Sequence, residues 1–267
     1  MLFAWLYNLP FVVEVASDSD QYKSKRFGNV LDFLCCHIGR LCIPKAVGAL
    51  YVADFLREKW HCENSLVLSN VVINEIKPPK TFSQNQTIKI VTVGALSYRK
   101  GIDILIAALK DIDIGKRLEL HIAGPIIDKG ILEIVESFSS TSVEIIMHGV
   151  LPHSSIMTLL DDADIYVQAS RSEGLPRSLL EAMSRGLPVI ASDLPGIKGV
   201  LDGKYKFGIG DYAKLTSLLV GVLSDRYNYE ESAIRSSASV ECYLSDYTKM
   251  ARKQFYARCK EMACGRD

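Results

Sequence analysis

Two glutamates, Glu173 and Glu181, flank a helix start in the segment 170–192, which reads SRSEGLPRSLLEAMSRGLPVIAS. Glu173 falls in a polar turn, and Glu181 falls about a turn and a half inside the helix that opens at Pro176. Between them the first helical amides, those of Arg177, Ser178 and Leu179, lack intrahelical partners and point at whatever occupies the crevice. The helix dipole behind them favours an anion there, most naturally a phosphate. A carboxylate on either side of a phosphate cradle suits a ligand with hydroxyl groups at both ends, and a nucleotide sugar fits that description. The two glutamates could also be read as the acid and base of a hydrolase, which must face each other across the scissile bond. A phosphate-binding turn lies between them, so transfer from an activated donor is the better reading.

The elements that must hold these residues are short and buried. Residues 165–168 are apolar and predict a strand entering the turn at 170–174. Leu179, Leu180 and Met183 recur at helical spacing and predict a core-facing helix side. Gly186 ends the helix, Pro188 follows, and 189–191 predicts the next strand. The unit is strand, loop, helix, strand.

The same alternation runs through most of the chain. Predicted strands cover 90–94, 118–124 and 143–149, with helices over 101–110, 131–137 and 154–161, and Asp211 caps a helix to 223. Such alternation implies an α/β fold with a doubly wound parallel sheet, its ligands at the carboxyl ends of the strands. Earlier, 11–16, 47–52 and 66–72 predict three further strands, with a helix over 30–42 after the basic loop of Lys23, Lys25 and Arg26. Pro78, Pro79 and the polar run 83–87 form the best linker. The expected division is 1–78, 79–226 and 227–267, the last being helices that pack back towards the first part. In the final helix Leu244, Tyr247, Ala251 and Phe255 share a face. Gly208, Ile209 and Gly210 lack the third glycine of a dinucleotide fingerprint and read as a turn.

The segment 170–192 resembles the Glu-x7-Glu signature of the family four retaining glycosyltransferases. The seven residues between the glutamates match in number, and the flanking EAM-x-x-G-x-P-V-I-A-S matches too. The resemblance implies the GT-B fold: a Rossmann-like donor-binding domain, complete here, plus an N-terminal Rossmann-like domain that is incomplete. It implies that Glu173 contacts the transferred sugar as the catalytic residue and that Glu181 holds the ribose hydroxyls. Gly174, Leu175, Arg177, Ser178 and Leu179 lie between them and complete the donor-binding turn. In the segment 94–101, GALSYRKG, Lys100 matches a lysine that clamps the donor diphosphate. The arginine that precedes it in the family is Ala95 here, a loss of ~1.5–3 kcal/mol unless Arg99 compensates. Gly149 and Val150 match the backbone that packs on the nucleobase, whereas His148 and His153 read as packing or surface histidines.

The function so implied is transfer of a sugar, with retention, from a nucleotide-sugar donor to a glycan or lipid-linked acceptor in surface polysaccharide assembly. No cofactor or metal is expected: no His, Cys and Asp cluster has metal-ligand spacing. The family's first strands have no counterpart here. The alternative is therefore a non-catalytic donor-binding module that needs a partner chain for the acceptor half. Residues 1–75, with Phe3, Trp5, Leu6 and Tyr7 at their start, are then expected to self-associate or to meet that partner.

Composition bounds the rest. Zero formal net charge gives no global field for nucleic acid. Seven cysteines without a CxxC pair read as reduced thiols in the cytoplasm, with Cys35 and Cys36 as small core residues. The apolar N-terminus lacks a basic leader and is interrupted by Asn8, Pro10 and Glu14, so neither a secretion signal nor a membrane span is expected. Peripheral contact at the inner face of the membrane is a secondary expectation, from the last helix.

Overall fold

The computed structural model describes residues 10–15, 39, 41–68, 73–82, 84–110 and 112–264. Outside them lie the aromatic cluster near the start, the basic loop at 23–26, Cys35 and Cys36, and most of the helix expected over 30–42. The chain divides into two compact units, one of 1–72, 173–175 and 242–267, the other of 73–172 and 176–241. The second unit thus begins ahead of the proline pair, and the helix that opens at residue 226 stays within it.

In the first unit, β1 (Val12–Val15), β2 (Gly48–Tyr51) and β3 (Ser65–Val67) form a parallel sheet in the order β1-β2-β3. Central β2 is buried along its whole length, which is why its run is apolar throughout rather than alternating. Ala49 and Tyr51 pack with Ile43, Leu56 and Trp60, the second of these from α1 (Asp54–Lys59). Burial pushes the Tyr51 hydroxyl up to about 12, and it donates to the Trp60 carbonyl. Val47, Leu50 and Leu68 pack instead with Phe255 and Cys259 of the long helix over Ser245–Cys264. A Cβ on Gly48 would come within 2.5 Å of Cys259 Sγ, so that helix lies hard against the strand. Phe255 is buried and Ala251 packs beside it, as the sequence predicts, together with Thr248 and Cys259, whereas Tyr247 is exposed and leaves the expected face. The close approach over Gly48 selects the stripe carrying Cys259, and no local pattern reports that contact.

The second unit holds a six-stranded sheet: β4 (Thr87–Val93), β5 (Arg117–Ala123), β6 (Val143–Gly149), β7 (Ile165–Gln168), β8 (Val189–Ser192) and β9 (Lys206–Phe207). All neighbours are parallel and the order is β6-β5-β4-β7-β8-β9. The strands are joined by α2 (Ile102–Leu109), α3 (Lys129–Glu136), α4 (His153–Asp162) and α5 (Arg177–Ser184). Next come α6 (Tyr212–Leu223), α7 (Arg226–Ser239) and, in the first unit, α8 (Ser245–Cys264). Asp211 caps α6 by accepting from the Lys214 amide. Two-residue β9, which follows β8, is too short to announce itself by periodicity. From β4 the chain winds outward through β5 to β6, then returns to β7 on the other side of β4. The winding reverses between β4 and β7, and in such sheets ligands bind at the carboxyl ends flanking that reversal.

Candidate functional site

The loops that leave β4 and β7 are laced together at the reversal point. After β4 the chain passes Gly94 and a single 3-10 turn, Tyr98–Lys100, before Gly101 opens α2. Gly101 has φ +65°, and a Cβ there would sit 1.9 Å from the carbonyl oxygen of Ala169, just past β7. Only glycine permits this approach of one loop to the other. Gly101→Ala is therefore expected to cost about 2–4 kcal/mol, the left-handed strain plus displacement of the β7 loop. Urea denaturation of the full chain measures it, and an unchanged midpoint would refute the packing argument.

Arginines tie the two loops from both sides. Arg171 forms a two-pronged pair with Asp103, at 2.8 and 2.6 Å, and donates to the Tyr98 carbonyl at 2.6 Å. Its guanidinium stacks 3.6 Å from the centre of the Tyr98 ring, and its amide donates to the Arg99 carbonyl. Arg99 in turn donates from Nη1 to the Ser172 carbonyl at 2.9 Å. The residue expected to stand in for the missing clamp arginine thus also holds the loop ahead of Glu173. Among the described residues, Ser172 Oγ is buried without a hydrogen-bond partner. Arg171 and Ser172 were not among the sequence candidates. Asp103 is 68 residues from Arg171, and no spacing rule links them.

Lys100 lies along Gly94: a Cβ on that glycine would come within 2.9 Å of Lys100 Cε. The lysine is thereby directed across the carboxyl end of β4. Helix α5 begins behind Pro176 with no side-chain cap, so its first amides face the same edge. Leu179 is fully buried and offers only its backbone. The Ser178 hydroxyl accepts from Tyr166 and donates to the Val93 carbonyl, so it too offers its amide rather than its side chain. The Arg177 side chain is exposed.

Glu181 is 6% exposed. Its Oε1 meets Nε2 of His153 at 2.9 Å, and Arg177 Nε lies 3.8 Å away. His153 is a surface residue, as read from sequence, and it is also the polar partner of a candidate ligand group. Glu173 is 8% exposed and, with Gly174 and Leu175, belongs to the first unit.

Gly149 ends β6 in the left-handed region at φ +64°, and its carbonyl accepts from Gly124. Val150 beyond it is 74% exposed, an apolar side chain held in the open just ahead of His153. The register of β5 against β6 shifts beside His148. The His148 ring stacks on His121 with 2.9 Å between ring nitrogens. Burial, with the neighbouring His121 adding to it, lowers the pKa of His148. Helices α4 and α5 are joined again at their far ends, where Arg185 grips Asp161 at 2.6 and 2.9 Å and reaches Glu75 at 3.0 Å. Burial works against ionisation of Asp161, but hydrogen bonds from Arg185 and Lys77 outweigh it and hold the carboxyl below its usual range. Among the described residues no three His, Cys, Asp or Glu side chains are grouped to hold a metal ion, and no helix is long and apolar enough to cross a membrane.

Residues 73–233, more than half of the chain, match the family described as glycosyl transferases group 1. The chain belongs to that family. This group 1 glycosyl transferase is 25% identical over 265 residues to protein CapJ of Staphylococcus aureus, covering 96% of this chain and 67% of CapJ. It is 28% identical over 136 residues to WcaL of Escherichia coli K12, named for colanic acid biosynthesis, covering 48% of this chain and 32% of WcaL. The transferase thus spans about two thirds of one curated relative and about a third of the other. Its fold is shared with Anabaena HepE, solved with UDP and glucose: the TM-score is 0.76 at 14% identity, over 96% of this chain and 74% of HepE.

Proposed function

We propose that this chain is a retaining, family-four-type glycosyltransferase that moves a hexose from a nucleoside diphosphate to a glycan or lipid-linked acceptor in polysaccharide assembly. One observation carries the reading. The β4–β7 reversal gathers Lys100 and an uncapped helix start, with a buried carboxylate, Glu181, inside that same helix. In this reading the amides of Arg177, Ser178 and Leu179 and the Lys100 ammonium bind the diphosphate. Glu181 accepts from the ribose hydroxyls, and Gly149 and Val150 cover the base. Arg99 and Gly174 with Leu175 shape the rest of the donor turn. Glu173 orients the sugar and supports the positive charge that develops at its anomeric carbon. The bond from that carbon to the phosphate breaks, the acceptor oxygen bonds on the same face, and the departing phosphate takes the acceptor proton. No protein base is then needed. Relatives named for colanic acid and amylovoran biosynthesis favour a polysaccharide acceptor.

Because amides and a lysine neutralise the diphosphate, the transfer needs no divalent ion. The test supplies UDP- and GDP-sugars with lipid-linked acceptors and excess chelator, and reads the product's anomeric proton coupling. Product of retained configuration at an undiminished rate is expected. An inverted product, or activity lost to the chelator, would overturn the assignment.

A further inference from the structure

We propose that His153 is a positioning residue for the ribose end of this site, holding Glu181 in the one orientation from which its other oxygen meets the ribose hydroxyls. The inference rests on the donor-site reading above and adds to it the residue that holds Glu181 in place.

The geometry is specific. Glu181 is nearly buried, and a buried carboxylate left without a partner is costly. A carboxylate only accepts hydrogen bonds, so the 2.9 Å contact requires the proton on Nε2 of His153. That bond occupies Oε1 and leaves Oε2 for a ligand. Arg177, at 3.8 Å and with its side chain 67% exposed, is a weaker partner.

The histidine's own backbone is fixed. It is the first residue of α4, directly behind Pro152, and the other end of α4 is clamped to α5 through Asp161 and Arg185. A histidine so placed keeps Glu181 from turning in the free protein. It also couples Glu181 to the segment 149–153, which carries exposed Val150. A nucleoside whose base settles on that segment would find the ribose acceptor already aimed, so less ordering is needed on binding. Exposure of the imidazole, 66%, makes orientation rather than charge its main contribution.

Calorimetry on the full chain tests this with UDP, GDP and inorganic pyrophosphate, using His153→Ala, His153→Gln, Glu181→Ala and the Ala/Ala double variant. His153→Ala is expected to weaken whichever nucleotide binds by about five- to tenfold, the loss of one partly exposed charge-assisted hydrogen bond. His153→Gln, whose amide N–H reaches a similar point, should restore most of it. The double variant should bind no more weakly than Glu181→Ala, and pyrophosphate should bind all four variants like the wild type. Nucleotide binding indifferent to His153, or losses that simply add, would overturn this assignment alone. Failure of the wild-type chain to bind either nucleotide would overturn the donor reading and this assignment together.

Discussion

Glu173→Gln is expected to lower the rate of sugar transfer by about 10²–10³-fold while weakening donor binding far less. The substitution keeps the shape of a side chain that is 8% exposed, so the loop has no reason to repack. What it removes is a negative charge. In the proposed reaction that charge matters most when the bond to phosphate has lengthened and the sugar has become cationic, and little in the ground state. An interaction stronger in the transition state than in the bound donor appears in kcat rather than in KM. The measurement is steady-state transfer with the donor varied at saturating acceptor. A variant that keeps kcat but loses donor affinity would move Glu173 from the chemistry to simple binding.

Glu181→Ala is expected to show the opposite split. In the proposed site two ribose hydroxyls donate to this one carboxylate, charge-assisted hydrogen bonds of ~1.5–3 kcal/mol each, shared over a single group. Nucleotide affinity should therefore fall about 10–100-fold by calorimetry, with little change in the turnover of the donor that does bind. The histidine released by the substitution is already largely exposed and takes its hydrogen bonds from water, so the loss is not inflated by a stranded partner. Affinity unchanged from the wild type would remove Glu181 from the ribose.

Both effects rest on residues that the linear sequence already singled out. A proline directly ahead of the first turn, apolar residues three and four apart and a glycine at the close are local determinants of a helix. They place Glu173 before α5 and Glu181 within it, whatever the rest of the chain does. The parallel sheet was legible for a similar reason, since strands buried on both faces read as unbroken apolar runs joined by helices. Burial of the final helix was legible only at Phe255 and Ala251. Its residues 247 and 248 are equally compatible with a helix, and only the close approach over Gly48 chose the stripe with Cys259.

Local pattern determined the elements and the spacing of the two glutamates. Tertiary structure decided what surrounds them. Strand order puts β4 beside β7, so Asp103 meets Arg171 across 68 residues and the Ala169 carbonyl packs where a side chain on Gly101 would stand. It also brings the start of α4 to α5, so that His153 becomes the partner of Glu181 across 28. Periodicity reports which side of an element is buried, because burial acts on each residue where it stands. It carries no record of which two buried or half-buried groups will meet, because that depends on the order in which the strands pair.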